Sequence, residues 1–400
     1  MKKAFLFAVV VGICMIFSTA SATAQPIKVG AVINLTGPSS SYGQYHAKGL
    51  QDYFRYVNEV KGGVAGRKME LTIVDHAYQV PEAVKLVKKF CEDKMDMLAV
   101  WDAGSGIAVK PILQQYKIPA INFSTYQALL NQPIEYMYIV FGSYIMESQA
   151  VLDYIKAIHK GKEPPKVGLL TYNNAFGKAI HAPCKEYAAK ANVNIVSIEE
   201  FPSSTLDLGT ELLRLKEKKA EYIFIQALPA AIVAALKAAD RVGYNVPFFG
   251  TNTSTDPDFF KLGHGLIRDR LAISFGGALP VDNTPGIKLM QDLWKRYKTV
   301  DKFDTCYWLG VTVGAIMERA MERANQTYKK INAETINNAM ESFRNEDFGG
   351  LVPNVTYTKT NHEPSFSTRI VRVREDSSYV PLSNFFHPGK DKVQVLKESK

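Results

Sequence analysis

No nucleotide-binding or hydrolase signature interrupts this chain. Its first strand-like segment, Gly30-Ala31-Val32-Ile33-Asn34, runs on without the GxGxxG turn of a dinucleotide site, and no P-loop, GxSxG elbow or HExxH occurs. Cysteine is scarce, with four in all. Cys14 sits in an N-terminal apolar run, while Cys91, Cys184 and Cys306 form an odd, widely spaced set without a CxxC pair. Redox and metal motifs therefore lack support. No metal or cofactor is expected, and buried free thiols are, with at most one disulfide. Beyond the N-terminus no apolar stretch is long enough to cross a bilayer. Low-complexity tracts and long linkers are missing too. The formal net charge is +9, yet the basic residues are strung along helical faces, as in Lys85-Leu86-Val87-Lys88-Lys89 and Lys216-Glu217-Lys218-Lys219. A nucleic-acid partner would need them gathered with aromatics on one face, and none is expected.

What is present begins with a leader pattern. Met1-Lys2-Lys3 is cationic, the run from Ala4 to Phe17 is apolar but short for a membrane span, and Ala22-Thr23-Ala24 carries the small residues of a cleavage site. A secretory signal peptide over residues 1–24, cut near Ala24 to leave Gln25 first, is the expectation. Cys14 follows Gly12-Ile13 without the small residues that lipid attachment requires. The product is expected to be exported and soluble.

A length of 400 residues exceeds what one hydrophobic core usually organises, and the pattern divides in two. Ile27-Lys28-Val29-Gly30-Ala31-Val32 leads into Ser41-Tyr42-Gly43. Pro165-Lys166-Val167-Gly168-Leu169-Leu170 leads likewise into Ala175-Phe176-Gly177. Met97-Leu98-Ala99-Val100 and Ile118-Pro119-Ala120-Ile121 are echoed by Tyr222-Ile223-Phe224-Ile225 and Val246-Pro247-Phe248-Phe249. Short buried strands alternate with amphipathic helices throughout, for instance at Leu50, Phe54 and Val57 or Ala83, Val87 and Phe90. The fold class is α/β: two Rossmann-like lobes with parallel central sheets. Turn residues at 280–285 and Gly349-Gly350 mark returns of the chain, so three crossings make a hinge. Lobe 1 is expected over 25–142 plus 278–351, and lobe 2 over 143–277 plus 352–400, with a β-rich tail joining the second sheet.

Open parallel sheets bind ligands beyond the carboxyl ends of their strands, so the loops there hold the candidate site. In the first lobe these carry Tyr42, the run Trp101-Asp102-Ala103-Gly104-Ser105-Gly106, and Asn122-Phe123-Ser124-Thr125-Tyr126. Backbone N–H groups at the helix start near Ser105 and Gly106 suit an anionic group such as a carboxylate. In the second lobe the matching places hold Asn173, Phe176, Gln226 and Asn252. Each has a plainer alternative. Ser105 can be an N-cap, Tyr42 and Phe176 packing residues, Trp101 core, and Asp102 a cap or a lysine's partner. The seven histidines are scattered, and a surface or capping role is expected for each. Asp75-His76 sits at a strand end, edging the cleft without an evident nucleophile.

Several of these residues together resemble a known family. Lys28-Val29-Gly30 through Leu35-Thr36-Gly37-Pro38, Tyr42-Gly43, and the run Gly62-Gly63-Val64-Ala65-Gly66-Arg67-Lys68-Met69-Glu70-Leu71 are its strongest marks. Ser105-Gly106, Pro111, Ile118-Pro119 and Ala175-Phe176-Gly177 follow in the right order. The chain resembles the type I periplasmic solute-binding proteins of ABC importers, in the leucine/isoleucine/valine-binding branch. By that resemblance Ser105 and Ser124 to Tyr126 would hold a ligand α-carboxylate, and Tyr42 and Trp101 would line the side-chain pocket. Phe176 and the loop at Gln226 to Leu228 would close over it. The family's usual acid, which receives the ligand ammonium, is replaced by neutral Asn252, with Asp102 and Asp256 left as other sources of charge. Phe176 stands for a common Tyr, and Tyr126 for a small hydroxyl residue.

The implied role is a periplasmic, monomeric, non-enzymatic receptor. It would bring a small carboxylate-bearing solute, a branched-chain amino acid by family default, to an inner-membrane ABC permease complex. An aromatic or aliphatic acid or an amide is the rival ligand. A ligand sensor for a membrane signalling partner is the rival role, and an exported hydrolase using Ser105 or Asp75-His76 a third.

Overall fold

The computed structural model describes residues 25–37, 40–300, 304–364 and 367–397. The leader assigned to residues 1–24 lies outside them, as do Pro38 and Ser39 of the first loop.

β1 (Ile27–Ile33) is apolar and buried along nearly its whole length, as a central strand covered by helices on both faces must be. It lies between β2 (Met69–Asp75) and β3 (Met97–Val100), and the sheet continues through β4 (Ala120–Asn122) to β5 (Met137–Ile139), all parallel. The order is β2-β1-β3-β4-β5. In the second sheet β6 (Lys166–Tyr172) takes the place of β1. It is flanked by β7 (Asn194–Phe201) and β8 (Tyr222–Gln226), and β9 (Phe248–Gly250) and β10 (Leu271–Phe275) follow, again parallel. The order β7-β6-β8-β9-β10 repeats that of the first sheet, so the echo in sequence is an echo in topology. β11 (Arg369–Val373) and β12 (Tyr379–Pro381) extend the second sheet antiparallel at its β10 edge, where the β-rich tail was expected. β5 escapes the sequence pattern. Its three residues carry no periodicity, and only its equivalence to β10 identifies it.

Helices cover both faces of the first sheet. α2 (Val80–Glu92) and α3 (Ala103–Tyr116) pack Ala83, Val87, Val109 and Leu113 against Val32, Leu98 and Val100. On the other face α1 (Ser40–Glu59) crosses α11 (Thr305–Tyr328) at backbone contact. A Cβ at Gly49 would stand 2.2 Å from Tyr307 O, and one at Gly310 2.2 Å from His46 O. α10 (Pro285–Tyr297) and α12 (Ala333–Glu341) complete this lobe. The second sheet carries α4 (Tyr144–Ile158), α5 (Ala175–Lys178), α6 (His181–Ala191), α7 (Gly209–Glu217), α8 (Pro229–Arg241) and α9 (Pro257–Leu262). The glycine-rich family signature proves to be architectural. Arg67 donates to the carbonyls of Gln25 (2.7 Å), Pro26 (3.3 Å) and Ile331 (3.1 Å), pinning the start of β1 to the approach of α12.

The chain passes between the sheets after β5, after β10 and before β11, giving the three-strand hinge. The expected third passage at Gly349-Gly350 lies too early. Residues 352–364 stay beside β5, where Tyr357 Oη donates to Ile139 O at 2.6 Å and His362 stacks on Tyr138 at 3.8 Å. The turn at Gly349-Gly350 folds instead against Gly286, whose N–H donates to Gly349 O at 2.8 Å.

Candidate functional site

The carboxyl ends of both sheets open onto one hollow of about 320 Å³. Its two walls are built by the same local device. In the first lobe Tyr42-Gly43 opens α1, and a Cβ at Gly43 would stand 2.1 Å from Asn34 O, just past β1. In the second, Phe176-Gly177 lies in α5, and a Cβ at Gly177 would stand 2.0 Å from Tyr172 O, at the end of β6. Each glycine lets its helix ride directly over the strand end. The aromatic before it then turns into the cavity, Tyr42 from one side and Phe176 from the other.

The first wall is aromatic. Trp101, at the end of β3, has Tyr42 at 6.0 Å and Tyr78 at 5.6 Å, both edge-on. Trp101 Nε1 donates to His46 Nδ1 at 3.0 Å, and His46 stacks on Phe123 at 4.6 Å. An indole nitrogen can only donate, so His46 must accept at Nδ1 and be the neutral Nε2–H tautomer. Burial keeps it neutral, pushing its pKa down to about 3. From the second lobe Tyr144, Asn174, Ala175, Phe176, Leu228 and Thr253 complete the lining, with Tyr144 edge-on to Phe176 at 5.6 Å. The lobes also touch outside the hollow, where Gln127 Nε2 donates to Ala179 O at 3.0 Å.

Asp102 is the acidic member of the lining. It caps α3, Oδ1 accepting from Ser105 N at 2.8 Å, while Oδ2 is buried without a hydrogen-bond partner among the described residues. Its backbone has φ 60° and ψ 159°, a region open essentially to glycine alone. Burial pushes its carboxyl up to about 6, the cap bonds from Ser105 and Gly104 acting the other way. His76 Nε2 lies 3.9 Å from Oδ2, beyond a hydrogen bond, and burial lowers this ring to about 4, so it too is neutral.

Of the twelve residues singled out in sequence, Tyr42, Trp101, Asp102, Ser124 and Phe176 line the hollow. Ser105 does not. It is fully buried beneath the loop, and the amide expected to meet a ligand anion is taken by Asp102. Gly106 is a packing position, where a Cβ would stand 2.3 Å from Asn122 Nδ2. Thr125 is buried, its carbonyl accepting from Tyr144 N, and Tyr126 caps the turn Gln127–Leu130. Asn173 is exposed, and its neighbour Asn174 faces the hollow instead. Gln226 Oε1 accepts from Thr251 Oγ1 at 2.9 Å. Asn252 is committed to Glu147, donating to its carboxylate from backbone N at 3.1 Å and from Nδ2 at 2.7 Å. Asp256 caps α9 through Phe259 N and is absent from the lining.

His46, Tyr78, Val80 and Tyr144 are lining residues the sequence did not mark. The histidine expectation also fails at three positions, since His46, His76 and His362 are fully buried. Asp75 holds neighbouring loops together rather than a substrate, accepting from Leu35 N and Ala77 N, each at 2.8 Å. Among the described residues no three His, Cys, Asp or Glu converge as metal ligands would. Cys91, Cys184 and Cys306 are buried and unpaired.

A family model described as periplasmic binding protein matches residues 26–378. The Leu/Ile/Val-binding protein homolog 7 of Brucella suis biovar 1 is 20% identical over 302 residues, covering 72% of this chain and 75% of that protein. A branched chain amino acid ABC transporter protein from Thermus thermophilus, solved with bound valine, superposes with a TM-score of 0.83 at 23% identity, over 91% of this chain and 97% of that one. A fatty acid ABC transporter substrate-binding protein from Thermomonospora curvata does so at 0.84 and 21% identity, over 93% and 95%. At these identities the two structures speak to the fold.

Proposed function

The chain belongs to the periplasmic binding protein family, and on that premise we propose that it captures a small solute between its lobes and delivers it to the membrane permease of an ABC importer. The observation that carries this reading is the hollow itself. At about 320 Å³ it lies at the small end of ligand pockets. It is fed by loops from both sheets and crossed by a hinge whose closing would bury the solute. The walls favour a solute with one compact apolar body, aliphatic or aromatic. Relatives named for leucine, isoleucine and valine fit that description. Family membership points to solute binding rather than catalysis. We place Tyr42, Trp101, Asp102, Ser124 and Phe176 at the solute and Ser105 behind it as support.

The test is calorimetric titration of ligand-stripped protein with branched-chain and aromatic amino acids and with the corresponding organic acids, paired with small-angle scattering. The expected result is saturable binding by at least one compound, with a fall in the radius of gyration as the lobes close. An unchanging profile with no heat across that panel refutes the reading.

A further inference from the structure

Two side chains of the first lobe, Tyr78 and Gln127, reach across to α5 in the second. α5 carries Phe176 and is only four residues long. So short a helix has little stability of its own, and its place over the hollow depends on what holds its ends. Each end is met from the first lobe. At the start, Asn174 caps the helix, Oδ1 accepting from Gly177 N at 3.0 Å. Burial raises the pKa of the Tyr78 hydroxyl, and the Asn174 side chain, as its hydrogen-bond partner, opposes the rise. At the far end the carbonyl of Ala179 accepts from Gln127 Nε2 at 3.0 Å. Between these two points α3 of the first lobe packs against α5.

Both side chains are spent on this contact. Gln127 Oε1 is buried without a hydrogen-bond partner among the described residues, so the bond to Ala179 is what orients the amide. Tyr78 has a left-handed backbone, φ 59°, directly after Ala77 at φ 49°. An aromatic residue there is a true outlier, and strain of this kind persists only where the surroundings over-determine it. Asp75 Oδ1 fixes the turn by accepting from Ala77 N at 2.8 Å, and Gln79 N closes it on His76 O at 2.8 Å. The Tyr78 ring is thereby set edge-on to Trp101 in the lining, facing Asn174 of the other lobe. We propose that Tyr78 and Gln127 are positioning residues that clasp α5 at both ends, hold Phe176 over the hollow and so set how long a captured solute stays. This rests on the solute-capture reading above and adds a kinetic role that does not depend on the solute's charge. The clasp bonds exist only while the lobes are together. Losing them speeds reopening and leaves encounter with the open form unchanged.

Stopped-flow fluorescence on the full, ligand-stripped protein tests this, with Trp101 beside Tyr78 as the reporter. The probes are L-leucine, L-valine, L-phenylalanine, 4-methylpentanoate, 3-methylbutanoate and 3-phenylpropanoate. Tyr78→Phe keeps the ring and removes the hydroxyl. Gln127→Glu keeps the shape and puts a carboxylate, which cannot donate, against the Ala179 carbonyl. For each probe that binds, either variant should raise koff about twofold or more and the double variant about fivefold or more, with kon within about twofold of wild type. A side chain that served only the fold would not divide the two rates in this way. Circular dichroism and Tm identify a double variant that fails to fold, and the single variants then decide. A folded double variant with a smaller rise in koff, or with the change confined to kon, overturns the clasp and leaves solute capture standing. Silence from all six probes with wild-type protein, in fluorescence and in calorimetry, overturns both.

Discussion

At the scale of single residues, the site is an arrangement of groups that would be unstable elsewhere. Asp102 combines a left-handed backbone, a desolvated carboxylate and a half-used cap. Strain of this kind costs about 1–3 kcal/mol, whereas replacing an N-cap by glycine costs only a few tenths. Glycine's own entropy takes back about 0.5–1 kcal/mol. Asp102→Gly should therefore leave the ligand-free protein as stable as before, or more stable by up to about 2 kcal/mol in urea unfolding, while solute affinity falls. A loss of more than about 1 kcal/mol would mean that Asp102 serves the fold rather than the solute. The same scale shows why some site residues were legible in sequence and others were not. Loop position was readable, and side-chain direction was not. Asn173, Gln226 and Asn252 each sit within two residues of a true lining residue, Asn174, Leu228 and Thr253 respectively.

At the scale of elements, the two aromatic-glycine turns are the parts on which the cavity depends. Each glycine lies so close to the carbonyl at a strand's end that an added Cβ would stand 2.0–2.1 Å from it, so any side chain there must push the helix away. Gly177→Ala should displace α5, withdraw Phe176 from the hollow and cost about 1–3 kcal/mol, the usual penalty for overpacking. Calorimetry should show weaker solute binding in parallel with the lowered Tm. A variant with unchanged affinity would separate Phe176 from the site. These turns were visible as a repeat in the sequence because both lobes meet the same steric demand. Tyr78 and Tyr144 answer no repeated demand. They reach the hollow from the turn after β2 and from the first residue of α4, and no local pattern distinguishes them from ordinary surface or core tyrosines.

At the scale of the whole molecule, folding buries acids that the unfolded chain would hydrate. Burial pushes Asp102 and Asp304 up to about 6, Asp256 to about 7 and Glu147 to about 8. Their unfolded values lie near 4. Between those limits the folded protein holds protons that the unfolded chain releases, so stability falls as pH rises through the window. Ligand-free protein should accordingly melt at a higher temperature near pH 5 than near pH 8. Glu147→Gln should flatten the slope between about pH 6 and pH 8, because its group titrates highest. Asp75 and Asp282 behave oppositely. Burial raises them, but hydrogen bonds led by those from Thr36 and Arg369 outweigh it and hold them low. The stability they contribute is lost only below about pH 4, where the melting curve should turn down. A Tm that climbs steadily from pH 5 to pH 8 would contradict the burial of these four acids.

The sequence alone determined the alternation of strand and helix, the duplication, the sheet character and the family, because each is written in local periodicity or in short turns with one steric solution. Only the tertiary structure decided which groups face the hollow. Asp102 took the helix start that sequence had left open for a ligand, Asn252 turned to Glu147, and His46 was locked neutral by a tryptophan 55 residues away. Each outcome depends on a partner brought near by the meeting of distant segments. Hydrogen bonding across that distance follows from geometry, and one-dimensional order does not encode it.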